Sequence, residues 1–501
     1  MKRLVLIIGF MVGCLTGAMA QWTSAGNGTT YTLRDLLASS DGCVIYVDTL
    51  ASYCVMSDLT IASGDCLTVV PSDCQGETTD AVGIYCQGDI QLNIQGYVHI
   101  DNDDLLVYIQ PLEGSHLRIR FEECSAPSVI AHTNFLFLSG IQLIGSEVMF
   151  EDCLFQSFNK NLQSGAITYM NCNPTLYRCI FQGNYGSALS SAANVTGSPQ
   201  LYENEFRYNV LSKENMPQLN LGPGGNDTIH IIGNRIIGLY PLVGGITISD
   251  LLNVGNTKVV MADNFIADNR YGYNQQGYTI DALLLHNEFV CNNIETDPMQ
   301  GGSGVSIYGL TDQCKAKLRN NLIKDNLWGI TVISNAVVDL GTAEDPGGNI
   351  LYGNHNEGYG SDQEYALYVN GNHDVTAIGN YWGGGNADYA ESVIFHRPDL
   401  GNGYGLVTYN PILPTNNWSV EEAAPMTFST YPNPTQGLVT VQVAQAESFN
   451  YAVYNLQGQL LMQGNVQGDE TLLNMASFPE GIYLIAVKAN NQPPVYQRII
   501  R

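Results

Sequence analysis

The residues best equipped for chemistry lie in one stretch of the chain. Asp101, Asp103 and Asp104 crowd a short Asp-Asn-Asp-Asp run. Arg118 and Arg120 follow two residues apart, so on a strand both guanidinium groups share a face. Carboxylates grouped this way suit a hard cation such as calcium, and with the two arginines they make the best acidic and basic neighbourhood in the chain. The plainer reading is a solvated loop beside an ion-paired strand, and it is the one adopted. Elsewhere the chemical vocabulary is thin. The eight histidines are scattered, with no H-x-x-x-H or H-E-x-x-H, so no catalytic metal is expected. His396-Arg397-Pro398-Asp399 reads as a polar loop. No nucleophile elbow, phosphate loop or dinucleotide fingerprint stands between a strand and a helix. No cofactor is expected; calcium is the one ion the acidic run could take. The 29 tyrosines are the other resource. Asn184-Tyr185, Arg270-Tyr271-Gly272-Tyr273 and Asn326-Leu327-Trp328 each follow a repeat motif, and rings on a flat sheet can stack on sugars as well as on each other.

Composition narrows the partners. Over 501 residues, 20 basic against 47 acidic side chains leave a net charge of -27. That excludes nucleic acid, which needs its phosphates neutralised, and favours solubility. The N-terminus pairs Lys2 and Arg3 with an apolar run over 4–12 and Ala18-Met19-Ala20, the layout of a signal peptide over 1–20. Met11-Val12-Gly13-Cys14 resembles a lipoprotein site, with Met11 fitting it poorly. No later apolar run reaches membrane-spanning length, so no transmembrane segment is expected in the mature chain. Of 12 cysteines, 11 remain after the signal, five of them close together at Cys43, Cys54, Cys66, Cys74 and Cys86. Export permits disulfides, but the odd count leaves at least one thiol free or paired between chains.

These residues are positioned by a repeat. The pattern N/C-x-Φ-x-x-N, with Φ large and apolar, starts at Cys153, Cys179, Asn204, Asn234, Asn264, Asn287, Asn321, Asn349 and Asn380, at spacings of 23 to 34 residues. Such a period marks a solenoid. Gly is abundant and the apolar segments are short and alternating, as in Lys258-Val259-Val260-Met261, so the unit is a coil of strands rather than a helical hairpin. The fold class is all-β: a right-handed parallel β-helix over 44–412, then a small antiparallel β-sandwich. Asn204, Asn234, Asn264, Asn287, Asn321, Asn349 and Asn380 resemble the asparagine ladders of right-handed β-helices. Asn also tolerates left-handed turn geometry. Cys153 and Cys179 take the same position as buried thiols or as a bond between coils; buried thiols are preferred.

Residues 21–43 are expected to cap the solenoid. A short helix there starts at Thr32 and stops at Gly42. Ala377-Ile378-Gly379-Asn380-Tyr381-Trp382-Gly383 resembles the last-coil motif of bacterial β-helices. A Pro/Asn-rich linker spans 413–425.

From 426 to 501 the cysteines and the repeat stop, and about seven alternating strands read as a sandwich. Tyr431-Pro432-Asn433-Pro434-Thr435-Gln436-Gly437, Tyr454-Asn455-Leu456-Gln457-Gly458 and Gly481-Ile482-Tyr483-Leu484 resemble the C-terminal sorting domain of type IX secretion, a Bacteroidetes family. Pro432, Asn433, Pro434, Gly437, Gly458, Gly481 and Tyr483 carry that resemblance. It implies handling by the type IX machinery, passage through the periplasm, removal of the tail, and a final place outside the cell or on its surface.

β-Helices host pectate lyases, polygalacturonases and tailspike glycosidases. Calcium-binding aspartates with an arginine base, as in pectate lyases, find their nearest parallel in Asp101, Asp103, Asp104, Arg118 and Arg120. The Asp pair, Gly-His-Gly and Arg-x-Lys of polygalacturonases are missing. Function therefore reads as a surface or secreted β-helix that binds a polysaccharide or a surface. The alternatives are a polysaccharide lyase or glycoside hydrolase, and a structural surface component.

Overall fold

A computed structural model describes residues 21–74, 80–159, 165–356, 363–416, 428–444, 446, 448–455, 460–479, 481–489 and 495–501. The expected signal peptide over 1–20 and most of the expected linker lie outside the described residues.

Each coil contributes one strand to each of three faces. The first, second and third faces hold 14, 14 and 13 strands, and successive coils pair in parallel. The fold is a parallel β-helix. One side of every strand points into a common core and the other outward. On the third face Φ is the inward residue: Phe135, Phe155, Phe181 and Phe206 stack with ring centroids 5.0, 4.3 and 5.1 Å apart. Ile236, Ile266, Phe289, Ile323 and Leu351 extend the column, all buried.

The ladder forms at the corner from second to third face. The Oδ1 of each asparagine accepts from both the backbone N–H and the Nδ2 of the one before it, from Asn204 through Asn234, Asn264, Asn287, Asn321 and Asn349 to Asn380, at 2.8–3.1 Å. The left-handed geometry expected of these asparagines falls one residue earlier, at Glu203, Gly233, Asp263, His286 and Asn320. The asparagine points inward and satisfies backbone groups that the sharp corner leaves without partners; its neighbour makes the bend. The second Asn of the motif builds another ladder at the opposite end of the third face, Asn184–Asn209 and Asn269–Asn292–Asn326–Asn354. Leu239 interrupts it, and Gln218 from the first face bridges the gap, accepting from Asn209 and donating to Asn269. Cys153 and Cys179 are buried free thiols whose Sγ groups donate to carbonyls, and the eleven described cysteines carry no disulfide.

Residues 21–43 do more than cap. Trp22–Thr23 and Thr30–Tyr31 pair with Leu59–Ile61 and Cys66–Thr68, which begins the first and second faces. The helix Leu33–Ser39 then closes the core with Leu33 and Leu36, its N-terminus held by Thr32 and Asp35 in a reciprocal cap. Val44–Val47 folds back antiparallel on Ser52–Val55 and so begins no new coil. At the other end Trp382 is fully buried, and the helix Ala387–Val393 packs Ala390 and Val393 against the core.

The C-terminal sandwich sets Phe428–Tyr431, Leu438–Val443 and Glu470–Asn474 against Leu460–Gln467, Ser448–Asn455, Ile482–Ala489 and Val495–Ile500. Val441, Phe449, Val453, Leu473 and Ile485 fill the space between.

Candidate functional site

Loop lengths around the coil single out one face. From Glu151 to Leu322, the corner between second and third faces has two residues in every coil. The corners on either side of the first face vary: 208–216, 238–243 and 291–302 lead into it, and 192–199, 222–227 and 251–256 lead out. The first face is therefore a floor with walls, and it carries a groove of about 980 Å³.

The floor is a column of outward side chains in exact register order: Asn220, Thr247, Asn274, Ser306, Thr331, Tyr368 and Phe395, one per coil. Coils repeat at about 4.8 Å, so the column offers one hydroxyl, amide or ring per step along the axis. Beside it runs Gln276, Tyr308, Ile333 and Asn370. At the C-terminal end four rings cluster. Trp328 lies 4.7 Å from Tyr365 and 5.2 Å from Tyr368, and Tyr365 lies 4.6 Å from Phe395. The Trp328 indole N–H donates to Pro298 O at 2.9 Å, which ties the ring to the 291–302 wall. Arg270 ties two loops of one wall together: Nε donates to Gln300 O at 2.5 Å and Nη1 donates to Asn215 Oδ1. Tyr271 shares a 2.7 Å hydrogen bond with Thr247, and burial pushes its hydroxyl pKa up, so it stays protonated. Among the described lining residues there is no Asp, Glu or His. In a chain with 47 acidic residues that is a local exception.

The residues singled out from sequence fall elsewhere. Asp101, Asp103 and Asp104 sit on the corner after Tyr97–Ile100, between second and third faces, where Asp103 meets His132 at 3.1 Å. Arg118 and Arg120 point outward from the first face; Arg120 pairs with Glu122 at 2.6 Å. A corner and a strand separate the two groups, so the fold does not join them into one site. Arg118 instead lines a smaller hollow of about 460 Å³ with Asp58, Asp89 and His116. His396 is buried, with Nδ1 accepting from Val407 N–H at 2.8 Å, and Arg397–Leu400 forms a helical turn rather than a loop. Of the aromatic motifs, Tyr271 and Trp328 line the groove. Tyr365, Tyr368, Phe395 and the polar column escaped sequence reading. Their only signal is coil register, and the variable corners hide it.

In the sandwich, Pro432, Asn433, Pro434 and Gly437 make the turn between the first two strands. Asn433 Oδ1 accepts from Ile500 N–H at 2.9 Å, and a side chain on Gly437, at φ +125°, would meet Ala476. Gly481 and Arg501 exchange two backbone hydrogen bonds of 2.8 Å, and the Tyr483 hydroxyl donates to Pro479 O. Gly458 lies outside the described residues. The motif residues thus hold the last strand in place.

Residues 429–501 match the secretion system C-terminal sorting domain. This agrees with the resemblance read from the tail and places type IX secretion behind the chain's export to the surface or beyond it. Residues 199–383 match a family described as a protein of unknown function, DUF1565. No curated protein matches the chain. Among solved structures, a mutant of the periplasmic alginate epimerase AlgG is similar at 11% identity and TM-score 0.42, over 76% of this chain and 83% of that one. The Dettilon tailspike protein is similar at 10% identity and TM-score 0.31, over 84% and 74%. A tailspike double mutant of E. coli bacteriophage HK620, in complex with pentasaccharide, is similar at 11% identity and TM-score 0.25, over 93% and 88%. At these values the likeness concerns the coiled backbone and carries nothing about activity.

Proposed function

We propose that this exported β-helix binds a glycan in the groove of its first face and does not cut it. The observation that carries this reading is the lining itself: four clustered rings, a column of hydroxyls and amides, and no described carboxylate or imidazole. Rings stack on the apolar faces of sugars, and short polar side chains match their hydroxyls. One contact per coil favours a linear chain lying along the axis. An uncharged polysaccharide suits the groove best, because the surrounding charge of -27 repels polyanions. No metal is needed for contacts of this kind. After the sorting tail has acted, the protein works outside the cell or on its surface. Retention on a panel of polysaccharides tests the reading. Trp328→Ala should weaken binding about 10- to 30-fold, as expected for a central ring worth roughly 1.4–2 kcal/mol. Equal retention by the variant would overturn it.

A second reading, a polysaccharide lyase or hydrolase, is favoured by the hollow lined by Asp58, Asp89, His116 and Arg118, which holds the acid and base groups the groove lacks. Release of unsaturated or reducing ends, abolished by His116→Ala and Arg118→Ala, would establish it.

A further inference from the structure

The second face carries a row of outward apolar side chains that are buried or half-buried. In register order these are Tyr177, Tyr202, Ile232, Ala262 and Leu285. Their strand neighbours Leu176, Leu201, Ile231, Met261 and Leu284 fill the solenoid core, so the row itself faces away from it. Yet Tyr177 and Tyr202 are each only 1% exposed. They are covered by the tail: Leu484, Ala486, Ala452, Tyr454 and Ile500 belong to the same apolar cluster. The tail's own core takes Tyr483, Ile485 and Val487, so Leu484 and Ala486 lie on the opposite side of that strand. Three polar groups beneath the contact pair with one another. Gln200 Oε1 accepts from the Tyr202 hydroxyl at 3.1 Å and lies 2.7 Å from His230 Nδ1, and the His230 ring sits 6.0 Å from Tyr454. At the rim Lys488 opposes Asp263, whose carboxyl burial lifts to about 6.

We propose that the second face is a built seat for the C-terminal domain, which stays docked there without help from the linker. Three features support this. The apolar row runs over five coils, about 20 Å at the usual strand spacing. Both partners offer continuous apolar residues there, and a sandwich standing alone would expose its outer side to water. The Tyr202–Gln200–His230 hydrogen bonds keep those three groups partnered where water is excluded. While seated, the tail presents its three-stranded side and its Pro432-Asn433-Pro434 turn, and its four-stranded side is occupied. Cutting the linker alone then leaves the tail in place, and detachment requires displacement from the second face.

The test uses the whole chain with a protease site placed within 417–427. After cutting, gel filtration at low micromolar concentration should return the two parts as one species. Tyr202→Asp on the seat and Ala486→Asp on the tail should each weaken retention at least 10-fold. Should Tyr202→Asp loosen its own coil, seen as lost amide protection in the ladder, Ala486→Asp decides. Separation of the cut wild-type parts would overturn the proposal, as would retention by Ala486→Asp equal to wild type. Glycan retention by the first face is expected to survive the cut, so failure here leaves the groove reading untouched.

Discussion

Removing one rung of the ladder measures how much the corner asparagines hold. Asn264 Nδ2 donates to Ile231 O, Ala262 O and Asn287 Oδ1 at 2.7, 2.9 and 2.8 Å. Its Oδ1 accepts from the N–H and Nδ2 of Asn234 at 2.8 and 3.0 Å. Asn264→Ala therefore strips five hydrogen bonds from a site that water does not reach. A buried group left without a partner costs about 1–3 kcal/mol. Relaxation re-pairs some of the five, and if two stay orphaned the loss is about 2–6 kcal/mol. Asn264→Asp keeps the shape but replaces the donor nitrogen by an oxygen that faces three acceptors, two carbonyls and an amide oxygen, so it should lose more. Urea unfolding followed by circular dichroism reads both, with the exposed Leu472→Ala as a control expected within about 0.5 kcal/mol of wild type. A loss under about 1 kcal/mol for Asn264→Ala, with an unchanged denaturant slope, would refute the claim that the ladder satisfies groups the corner cannot.

Other perturbations follow from the same geometry. Arg270→Ala cuts both ties within one groove wall, so amide exchange in 210–216 and 298–302 should quicken at least 10-fold while the ladder's does not; equal exchange would remove its positioning role. Burial, reinforced by the Asp227 charge, lifts the Glu147 carboxyl to about 7, and its Oε2 has no partner. The folded state thus holds a proton that the unfolded chain releases near 4.5, so the stability tied to it is full at low pH and lost as pH rises from about 4.5 to 7. Glu147→Gln should accordingly raise Tm at pH 8 relative to wild type and not at pH 4; a pH-independent difference would contradict this. Deleting 426–501 should strand the protein in the periplasm, and its appearance in the medium would separate export from the tail.

The coil, its Φ column and the sorting tail were legible in the sequence because each rests on residues close together in the chain. Asn264, Phe265, Ile266 and Asn269 announce a whole corner, strand and corner within six residues. Even there the division of labour was hidden. Asn tolerates the left-handed bend, but Asp263 takes it, because the ladder needs the Asn side chain turned inward. The groove was not legible. Thr331 and Tyr368 are neighbours on the floor although 37 residues apart, and that offset changes in nearly every coil. Asp103 and Arg120 look close in sequence, yet a corner and a strand part them. The docking of the tail left one sign that alternation obscured: Tyr483-Leu484-Ile485-Ala486-Val487 has no polar break, as a strand covered on both sides should not.

The constant two-residue corner has a consequence for how such a molecule can change. Insertions at the two variable corners alter the groove's rim but shift no residue of the ladder between the second and third faces, since each rung there is set by the coil before and after it. Depth, width and ligand preference can therefore drift through loop length alone, one coil at a time, while the register of the floor is inherited intact. In this chain, from Glu151 to Leu322, the loops that differ in length from coil to coil all border the face that carries the groove.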